Sequence, residues 1–464
     1  MESSECQGCR ERDARIAQLE ARVLALEGQI RDLIDKTKPP PPPKRTTEQP
    51  PAPAKKATGR KPGAQAGHPP HLKKLLPPER VTELVAYIPK RCQACAASLP
   101  EKAGLSDPEP TRFQVIDLPK LTARVTEHQG HARSCPCCGE VTREPIPARV
   151  REHAFGPKLT ATLSYLAGMH GVGKRGIEEI AESVFDAPIA LGSVSNLERE
   201  MSAALAPAYQ EAKKHLAEAE IKNVDETGWI EKKNKRTLWA GVTKLVAVFM
   251  IQSRRDLAAL MRFVGETLKG ILGSDRAKVY NNWPGLRQLC WAHIKRNWEK
   301  WVERGGDSDG VRLGREWLEL HRIVFELWHR YREGKCEHEE FDQRIAALAV
   351  VASDILYRGQ QVPNKKFAGF CKRLAERQTS LWTFAFVEGV EPTNNAAERI
   401  LRRAVLWRRR SFGCSSADGC RFVERVLTAV QTLKLQERAV LDFLQNTIEA
   451  HRNGLPYPKL IPVG

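Results

Sequence analysis

The sequence predicts a multidomain protein with an N-terminal coiled coil, a small zinc-binding domain, a helical region and an α/β domain that contains a large helical insertion. Three observations support this. A chain of 464 residues is too long for one ordinary core, apolar residues near the N-terminus follow a heptad repeat, and the segments after residue 220 read as strand, strand, strand, helix, strand. The expected segments are a coiled coil over 1–37, a basic Pro-rich linker over 38–90, a zinc-binding domain over 91–150, a helical region over 151–220, an α/β domain over 221–410 with its insertion at about 300–391, and a C-terminal helical segment over 411–464.

The heptad repeat predicts a parallel two-stranded coiled coil, and therefore a homodimer or higher oligomer. Ile and Val occupy the first apolar position and Leu the second, which is the combination that favours two parallel strands. A short amphipathic helix packed on its own domain is the alternative. The repeat consists of Ile16, Leu19, Val23, Leu26, Ile30 and Leu33.

The charge balance indicates a polyanionic partner. The chain has 74 Lys and Arg against 56 Asp and Glu, a formal net charge of +18, and nucleic acid is the commonest partner of so basic a chain. A solubilising surface excess is the alternative. The linker begins as a flexible, basic arm that could follow phosphates.

No segment predicts a membrane span or an export signal. The apolar run at 245–251, among the longest, falls far short of the roughly 18 residues that cross a bilayer, and the first residues are charged and polar. The sequence therefore predicts a cytoplasmic protein with reduced cysteines and no membrane partner.

Two CxxC pairs predict a structural zinc site. Each pair places two thiolates on one tight turn, and two such turns complete a tetrahedron around Zn²⁺. Unmetallated buried cysteines are the alternative. Cys137 makes the second pair CPCC and is not needed as a ligand. The same region contains β-like stretches at 81–88 and 113–118. The proposed ligands are Cys92, Cys95, Cys135 and Cys138.

Other cysteines give weaker signals. Cys6 and Cys9 form a further CxxC, but a complete site there would need the two chains of a dimer, so its role stays open. Cys290 and His293 also have ligand-like spacing, although two groups on one helical face more often pack than bind a metal.

The region 151–220 contains a candidate helix-turn-helix. Lys174 and Arg175 open its first helix, and Ser193 or Ser195 caps the second. Because any helical hairpin gives this pattern, DNA binding by these four residues and ordinary packing both remain open.

Three acids are candidate metal ligands. Asp225 ends an apolar strand in NVDETGW and Asp275 ends another in ILGSD, so both lie beside a buried sheet but remain open to solvent. Glu398 opens a helix in PTNNAAERILRRAV, where it could also close a capping box with Asn395 as the N-cap. The residues alone leave the choice between cap and ligand open.

Ordered blocks of the sequence resemble the transposases of the insertion sequence 66 family. Those around the acids are VDETGW, GILGSDRAKVY, CWAHIKRNW and EPTNNAAERILRRAV. The resemblance continues in GRKPGAQAGH, the four-cysteine segment and LGSVSNLERE, and so covers almost the whole chain. The family usually has Gly and Tyr after the second Asp, where this chain has Arg276 and Ala277.

The resemblance implies a ribonuclease H-like catalytic domain of the DDE type, in which Asp225, Asp275 and Glu398 bind two Mg²⁺ or Mn²⁺ ions and Asp225 bridges them. It implies a transposase that cuts element ends and joins them to target DNA. DNA is then the expected partner, the nucleoid the expected location, and two accessory proteins of the element are further expected partners. The alternative is a DNA-binding regulator that has lost catalysis.

Arginines follow Glu398 on the same helix. Positive side chains beside the acids would hold a DNA backbone in place, and a solvated charged face is the alternative. The candidates are Arg402, Arg403, Arg408, Arg409 and Arg410.

Overall fold

The computed structural model describes residues 75–102, 104, 107–305 and 308–462. The predicted coiled coil, the first part of the linker, and Cys6 with Cys9 lie outside these residues. The chain divides into two compact units, Met1–Asp117 and Leu118–Gly464.

The first unit has little regular structure among its described residues, apart from a 3-10 helix at Pro78–Arg80. The stretches 81–88 and 113–118 form no strand, so that prediction is wrong. A strand with an apolar face needs a second layer to cover it, whereas Tyr87 is 92% and Phe113 is 88% exposed.

The second unit opens with a two-stranded ribbon and a group of helices. Helix α2 begins at Pro157, whose fixed φ suits the first helical position, and Gly171 caps it in the left-handed conformation at φ 66°. The elements are β1 (Ala132–Ser134), β2 (Val141–Arg143), α1 (Ala148–Arg151), α2 (Pro157–His170), α3 (Lys174–Phe185), α4 (Leu191–Ala204) and α5 (Ala206–Glu218).

The boundaries of α3 and α4 agree only in part with the predicted helix-turn-helix. Helix α3 does begin at Lys174. The N-cap of α4, however, is Ala190, and Ser193 and Ser195 lie inside the helix, so the capping prediction is wrong. A capping side chain stands one residue before the helix, and Leu191 is already helical.

A five-stranded mixed sheet forms the centre of the second unit. Its strands are β3 (Ile221–Glu231), β4 (Asn234–Val242), β5 (Ala247–Gln252), β6 (Ile271–Ser274) and β7 (Arg287–Leu289). They lie in the order β5, β4, β3, β6, β7. Strands β3, β4 and β5 are antiparallel neighbours, whereas β6 and β7 run parallel to β3. Helix α6 (Leu257–Val264) joins β5 to β6, so the predicted order of strands and helix is confirmed.

Helices that follow β7 enclose a second hydrophobic core, separate from the core of the sheet. At its centre the rings of Trp298 and Trp317 stack with centroids 4.9 Å apart. These helices are α7 (Trp291–Val302), α8 (Asp309–Arg332), α9 (His338–Gln360), α10 (Lys365–Ala375) and α11 (Thr383–Phe386). Neither α8, with 24 residues, nor any other helix in the described part of the chain is long and apolar enough to cross a membrane.

The chain ends in α12 (Asn395–Ser411), α13 (Ala417–Leu435) and α14 (Val440–Asn453). Helix α13 covers the edge of the sheet, because its side-chain oxygens accept the backbone N–H groups of β5. Those oxygens recur every four residues and so share one helix face. Because they bond the N–H groups of β5, this edge strand has fewer unpaired backbone groups with which another chain could pair. The pairs are Ala247 with Thr432, Phe249 with Thr428, and Ile251 with Glu424, at 3.0, 3.0 and 2.5 Å.

Candidate active site

The register of two parallel strands brings the first two acids together. Strand β3 pairs with β6 so that Asn223 lies opposite Gly273, and the same register carried two residues further sets Asp225 beside Asp275. Neighbouring strands lie about 4.8 Å apart. Asp225 and Asp275 therefore lie next to each other, just beyond the carboxyl end of β6.

The loop after β6 keeps the Asp275 carboxylate at the strand end. Its Oδ1 accepts a hydrogen bond from the Ala277 N–H at 2.8 Å, which is an Asx turn. The guanidinium carbon of Arg276 lies 5.0 Å from the centre of the Phe370 ring in α10. The residues that depart from the family pattern thus form a defined turn.

Burial and neighbouring charges raise the pKa of Asp225 to about 7. Loss of solvent is the largest cause and the charge of Glu226 follows, while Asp275 and Glu398 add smaller effects. The acids are therefore close enough to repel one another. Divalent cations would relieve that repulsion, and carboxylate oxygens suit Mg²⁺ or Mn²⁺.

Glu398 faces helix α7. Its Oε1 lies 3.2 Å from His293 Nδ1 and 3.3 Å from Arg296 Nη2. The N-cap of α12 is Asn394, which makes no side-chain capping bond, and its N–H donates to Cys290 Sγ at 3.2 Å. The capping box with Asn395 as N-cap is therefore not formed, which leaves the Glu398 carboxylate available as a ligand.

Asn394 ties the start of α12 to the strand that carries Asp225. Its Nδ2 donates to the Val224 carbonyl at 2.9 Å, and its Oδ1 accepts from Asn223 Nδ2 at 3.0 Å. The side chain is 1% exposed, so these bonds have no competition from water. They fix the first turn of α12, and with it Glu398, beside β3.

Glu226 is a buried acid of this region that the sequence reasoning missed. It forms an ion pair with Arg255 and accepts a hydrogen bond from the Tyr280 hydroxyl. Burial raises its pKa, and the Tyr280 and Arg255 contacts oppose that effect. Its position directly after Asp225 was the available signal, but the sequence did not show what it would contact.

Cys290, His293 and Glu398 form the only group of three potential ligands among the described residues whose donor atoms all lie within 4.8 Å of one another. Burial raises the pKa of the Cys290 thiol, and a neutral thiol is a poor metal ligand. The oxygens of the three acids are spread more widely than this group.

A cavity of about 540 Å³ opens beside the second acid. Arg255, Arg276 and Lys278 contribute positive charge to its wall, together with Asp275 and His293. A cavity with this charge is suited to an anionic ligand that reaches the acids.

The arginines of α12 divide into two sets. Arg408 donates to a carbonyl and a hydroxyl of β3, and Arg410 donates to the last carbonyl of α2 at 2.9 Å. Arg402, Arg403 and Arg409 are exposed and have no hydrogen bond or ion pair with any residue that the structure describes. The second set therefore has all of its donors available for phosphates.

The four candidates of the helix-turn-helix also differ in their surroundings. Lys174 Nζ donates to Ser195 Oγ at 2.7 Å and lies 3.2 Å from Glu198, so these residues tie α3 to α4. Ser193 is half-buried, whereas Arg175 is exposed.

The two cysteine pairs form similar turns, each within its own unit. Ala96 and Gly139 close them in the left-handed conformation, at φ 58° and 77°. Backbone N–H groups lower the pKa of Cys92 and of Cys135, which favours the thiolate that zinc binds. The backbone bonds are Cys92 N to Ala97 O, Ala96 N to Cys92 O, Cys135 N to Glu140 O, and Gly139 N to Cys135 O, at 2.9, 3.0, 2.8 and 2.9 Å.

Comparison with known protein families identifies a match. The model of a family described as "Transposase IS66 family" matches residues 152–421, more than half of the chain. The matched range includes Asp225, Asp275 and Glu398 and ends inside α13. No curated protein matches the chain.

Proposed function

Because the chain belongs to the IS66 family of transposases, we propose that it cleaves the ends of an insertion element and transfers the freed strand into target DNA. The observation that carries this proposal is the meeting of Asp225, Asp275 and Glu398, which come from three separate segments of the chain. Half-buried carboxylates that repel one another are unfavourable alone but are what two divalent ions require.

The sheet supports a ribonuclease H-like catalytic domain over 221–410, with a helical insertion at about 300–391. Three antiparallel strands lead through α6 to two strands parallel to the first. The acids lie on β3, after β6 and on α12, so that two strands and one helix build the site. The helices with their own core stand between the second and third acids.

Mg²⁺ or Mn²⁺ held by the three acids, with Asp225 shared, would supply the Lewis acidity that phosphodiester cleavage needs. The protein's own part is to hold these groups in position. Asn394 fixes the start of α12, and Arg296 donates a hydrogen bond that orients the Glu398 carboxylate. The proposed reaction is water-mediated cleavage that frees a 3′-hydroxyl, followed by in-line attack of that hydroxyl on target DNA.

A DNA-binding regulator without catalysis is the alternative. It would gain support if the Arg276 and Ala277 loop displaced the second acid. The bond from the Ala277 N–H instead supports a carboxylate held at the strand end, which favours the enzyme.

We further propose the partners and ions of this activity. DNA would contact the exposed arginines of α12 and Arg175 of α3, and Zn²⁺ would bind the cysteine turns. A coiled coil over 1–37 would form the homodimer or higher oligomer, and two accessory proteins of the element would assist.

Cleavage and joining of labelled element ends tests the catalytic proposal. Asp225→Asn, Asp275→Ala and Glu398→Gln should each lower both steps with Mg²⁺ by about a hundredfold or more, because each removes a ligand of the ions that would stabilise charge at the reacting phosphate. DNA affinity measured in EDTA should change little. The exposed Glu388→Gln is the matched control and should retain activity. Full strand transfer by Asp225→Asn or Glu398→Gln would show that the site is wrongly assigned.

A further inference from the structure

Four arginines from distant parts of the chain gather beside Asp275. Arg276 follows the acid directly and Arg287 opens β7, whereas Arg373 lies on α10 and Arg377 just beyond it. The group therefore joins the carboxyl edge of the sheet to the helical insertion.

Contacts with α10 locate the group. The guanidinium carbon of Arg276 lies 5.0 Å from the centre of the Phe370 ring, and Phe370 and Arg373 are three residues apart on α10, hence on one face of the helix. Arg377 Nη1 donates to the Arg373 carbonyl at 3.1 Å. On the sheet side, Arg287 Nη2 donates to Ser274 Oγ at 3.1 Å and to the Asp275 carbonyl at 3.2 Å.

The four arginines form almost no ion pair with the described residues. Among the described residues, Arg276, Arg287 and Arg373 form no ion pair, and Arg377 has only Glu376, at 3.8 Å. Arg287 is 8% exposed, and its Nε is buried without a hydrogen-bond partner. Other arginines of the insertion differ, since Arg322 and Arg358 each pair with two acids.

The arginines also repel one another. The charge of Arg373 acts on Arg276, and the charge of Arg377 acts on both Arg276 and Arg287, while the charge of Asp275 opposes this repulsion. Arg287 is buried and Arg276 half-buried, and like charges that lose water without gaining ion pairs are costly. A bound anion would therefore stabilise the group, and the planar guanidinium matches phosphate oxygens.

We infer that Arg276, Arg287, Arg373 and Arg377 form a binding site for a backbone phosphate of the DNA strand that lies beside the acids. The helical insertion thereby contributes directly to holding DNA at the active site. The cavity of about 540 Å³ that contains Arg276 and Asp275 gives the strand access. The inference rests on the proposed function, because it places the substrate strand next to Asp275.

The test measures DNA affinity without cleavage. A labelled duplex oligonucleotide of mixed sequence is titrated with the full chain in EDTA at several salt concentrations, because phosphate contacts do not depend on sequence. The variant is Arg373→Gln with Arg377→Gln, since Arg373 is exposed and Arg377 half-buried. Arg322→Gln with Arg358→Gln removes the same charge from acid-paired positions and serves as the control.

We expect the Arg373 and Arg377 variant to bind about tenfold more weakly, and its plot of log affinity against log salt to be shallower by about 0.9 for each phosphate that it no longer neutralises. The control pair should keep the wild-type slope. Arg373→Gln alone repeats the test with one exposed residue, should the double variant unfold at a lower temperature than wild type.

The possible outcomes distinguish a failure of the phosphate site from a failure of the proposed function. Equal affinities and slopes for wild type, variant and control would overturn the phosphate site but leave the proposed function standing. An equal loss of affinity in variant and control would also overturn the site, because net charge alone would explain it. No DNA binding by the wild type would contradict the proposed function itself.

Discussion

At the scale of single residues, Asn394 decides whether the third acid reaches the other two. Its side-chain amide forms hydrogen bonds with a backbone carbonyl and a side chain of β3, and its backbone N–H donates to the Cys290 sulfur. The Asn394 side chain, the Val224 carbonyl and the Cys290 thiol are buried, so any of them that loses its partner also lacks water.

We therefore expect Asn394→Ala to lower the free energy of unfolding by about 1–3 kcal/mol, the cost of an unsatisfied buried polar group. Cleavage should fall further than the decrease in stability explains, because Glu398 loses its anchor. Denaturant unfolding and element-end cleavage measure the two effects. The exposed neighbour Asn395→Ala is the control, and equal cleavage by both variants would contradict this role.

Glu424 gives a second prediction at this scale. Burial raises its pKa to about 7, above the ordinary 4.5, while the Ile251 N–H opposes the shift. The folded protein thus holds the proton more tightly than the unfolded chain, so stability falls as pH rises from about 4.5 to about 7.

Glu424→Gln keeps a side-chain oxygen that can accept the hydrogen bond from the Ile251 N–H, but it removes the charge. Glu424→Gln should match the wild type near pH 4.5 and exceed its free energy of unfolding by up to about 3 kcal/mol at pH 8. Urea unfolding across this range is the measurement, with the exposed Glu437→Gln as control. A constant difference at every pH would refute the assignment.

At the scale of elements, α12 presents different faces to the core and to solvent. Ala397, Ile400, Leu401 and Ala404 are buried, and the exposed arginines lie on the opposite side. Arg408 and Arg410 instead fasten the helix to β3 and α2.

Replacing Arg402, Arg403 and Arg409 together by Gln should flatten the salt dependence of DNA binding by about 0.9 for each phosphate that is no longer neutralised. Thermal stability should change little, since these side chains make no hydrogen bond or ion pair with a described residue. The control replaces three arginines paired within their own helices, namely Arg312, Arg344 and Arg421. An unchanged slope in the first variant would mean that this face is only solvated.

Local patterns could be predicted from the sequence, and distant contacts could not. The strand-like segments after residue 220 predicted β3 to β6, since strand formation depends on neighbouring residues. The spacing of Cys290 and His293 predicted that they lie close together, although Cys290 is the N-cap of α7 and not part of the helix. It did not predict that both meet Glu398. Family resemblance supplied the grouping of the acids that local spacing left open.

At the scale of the whole molecule, the chain joins two units that differ in regular structure. The first unit has few buried side chains among its described residues, so packing alone gives it little stability. A structural metal would add folding free energy.

We therefore expect about one Zn²⁺ per chain by elemental analysis, because two CxxC turns supply four thiolates. Cys95→Ser and Cys138→Ser should each lower the zinc content and promote proteolysis near the cysteine turns. Cys137→Ser should do neither, because Cys137 is left over from the four. Zinc-free wild type, purified without chelators, would refute the prediction.

The late position of Glu398 and Asn394 in the chain has a consequence for protein synthesis. The ribosome delivers β3 and β6 long before α12. A nascent or truncated chain that stops within the helical insertion has both strand acids, yet lacks the third acid and the amide that positions it. Such fragments would be unable to cut DNA, so the genome would be exposed to cleavage only by chains whose synthesis has passed α12.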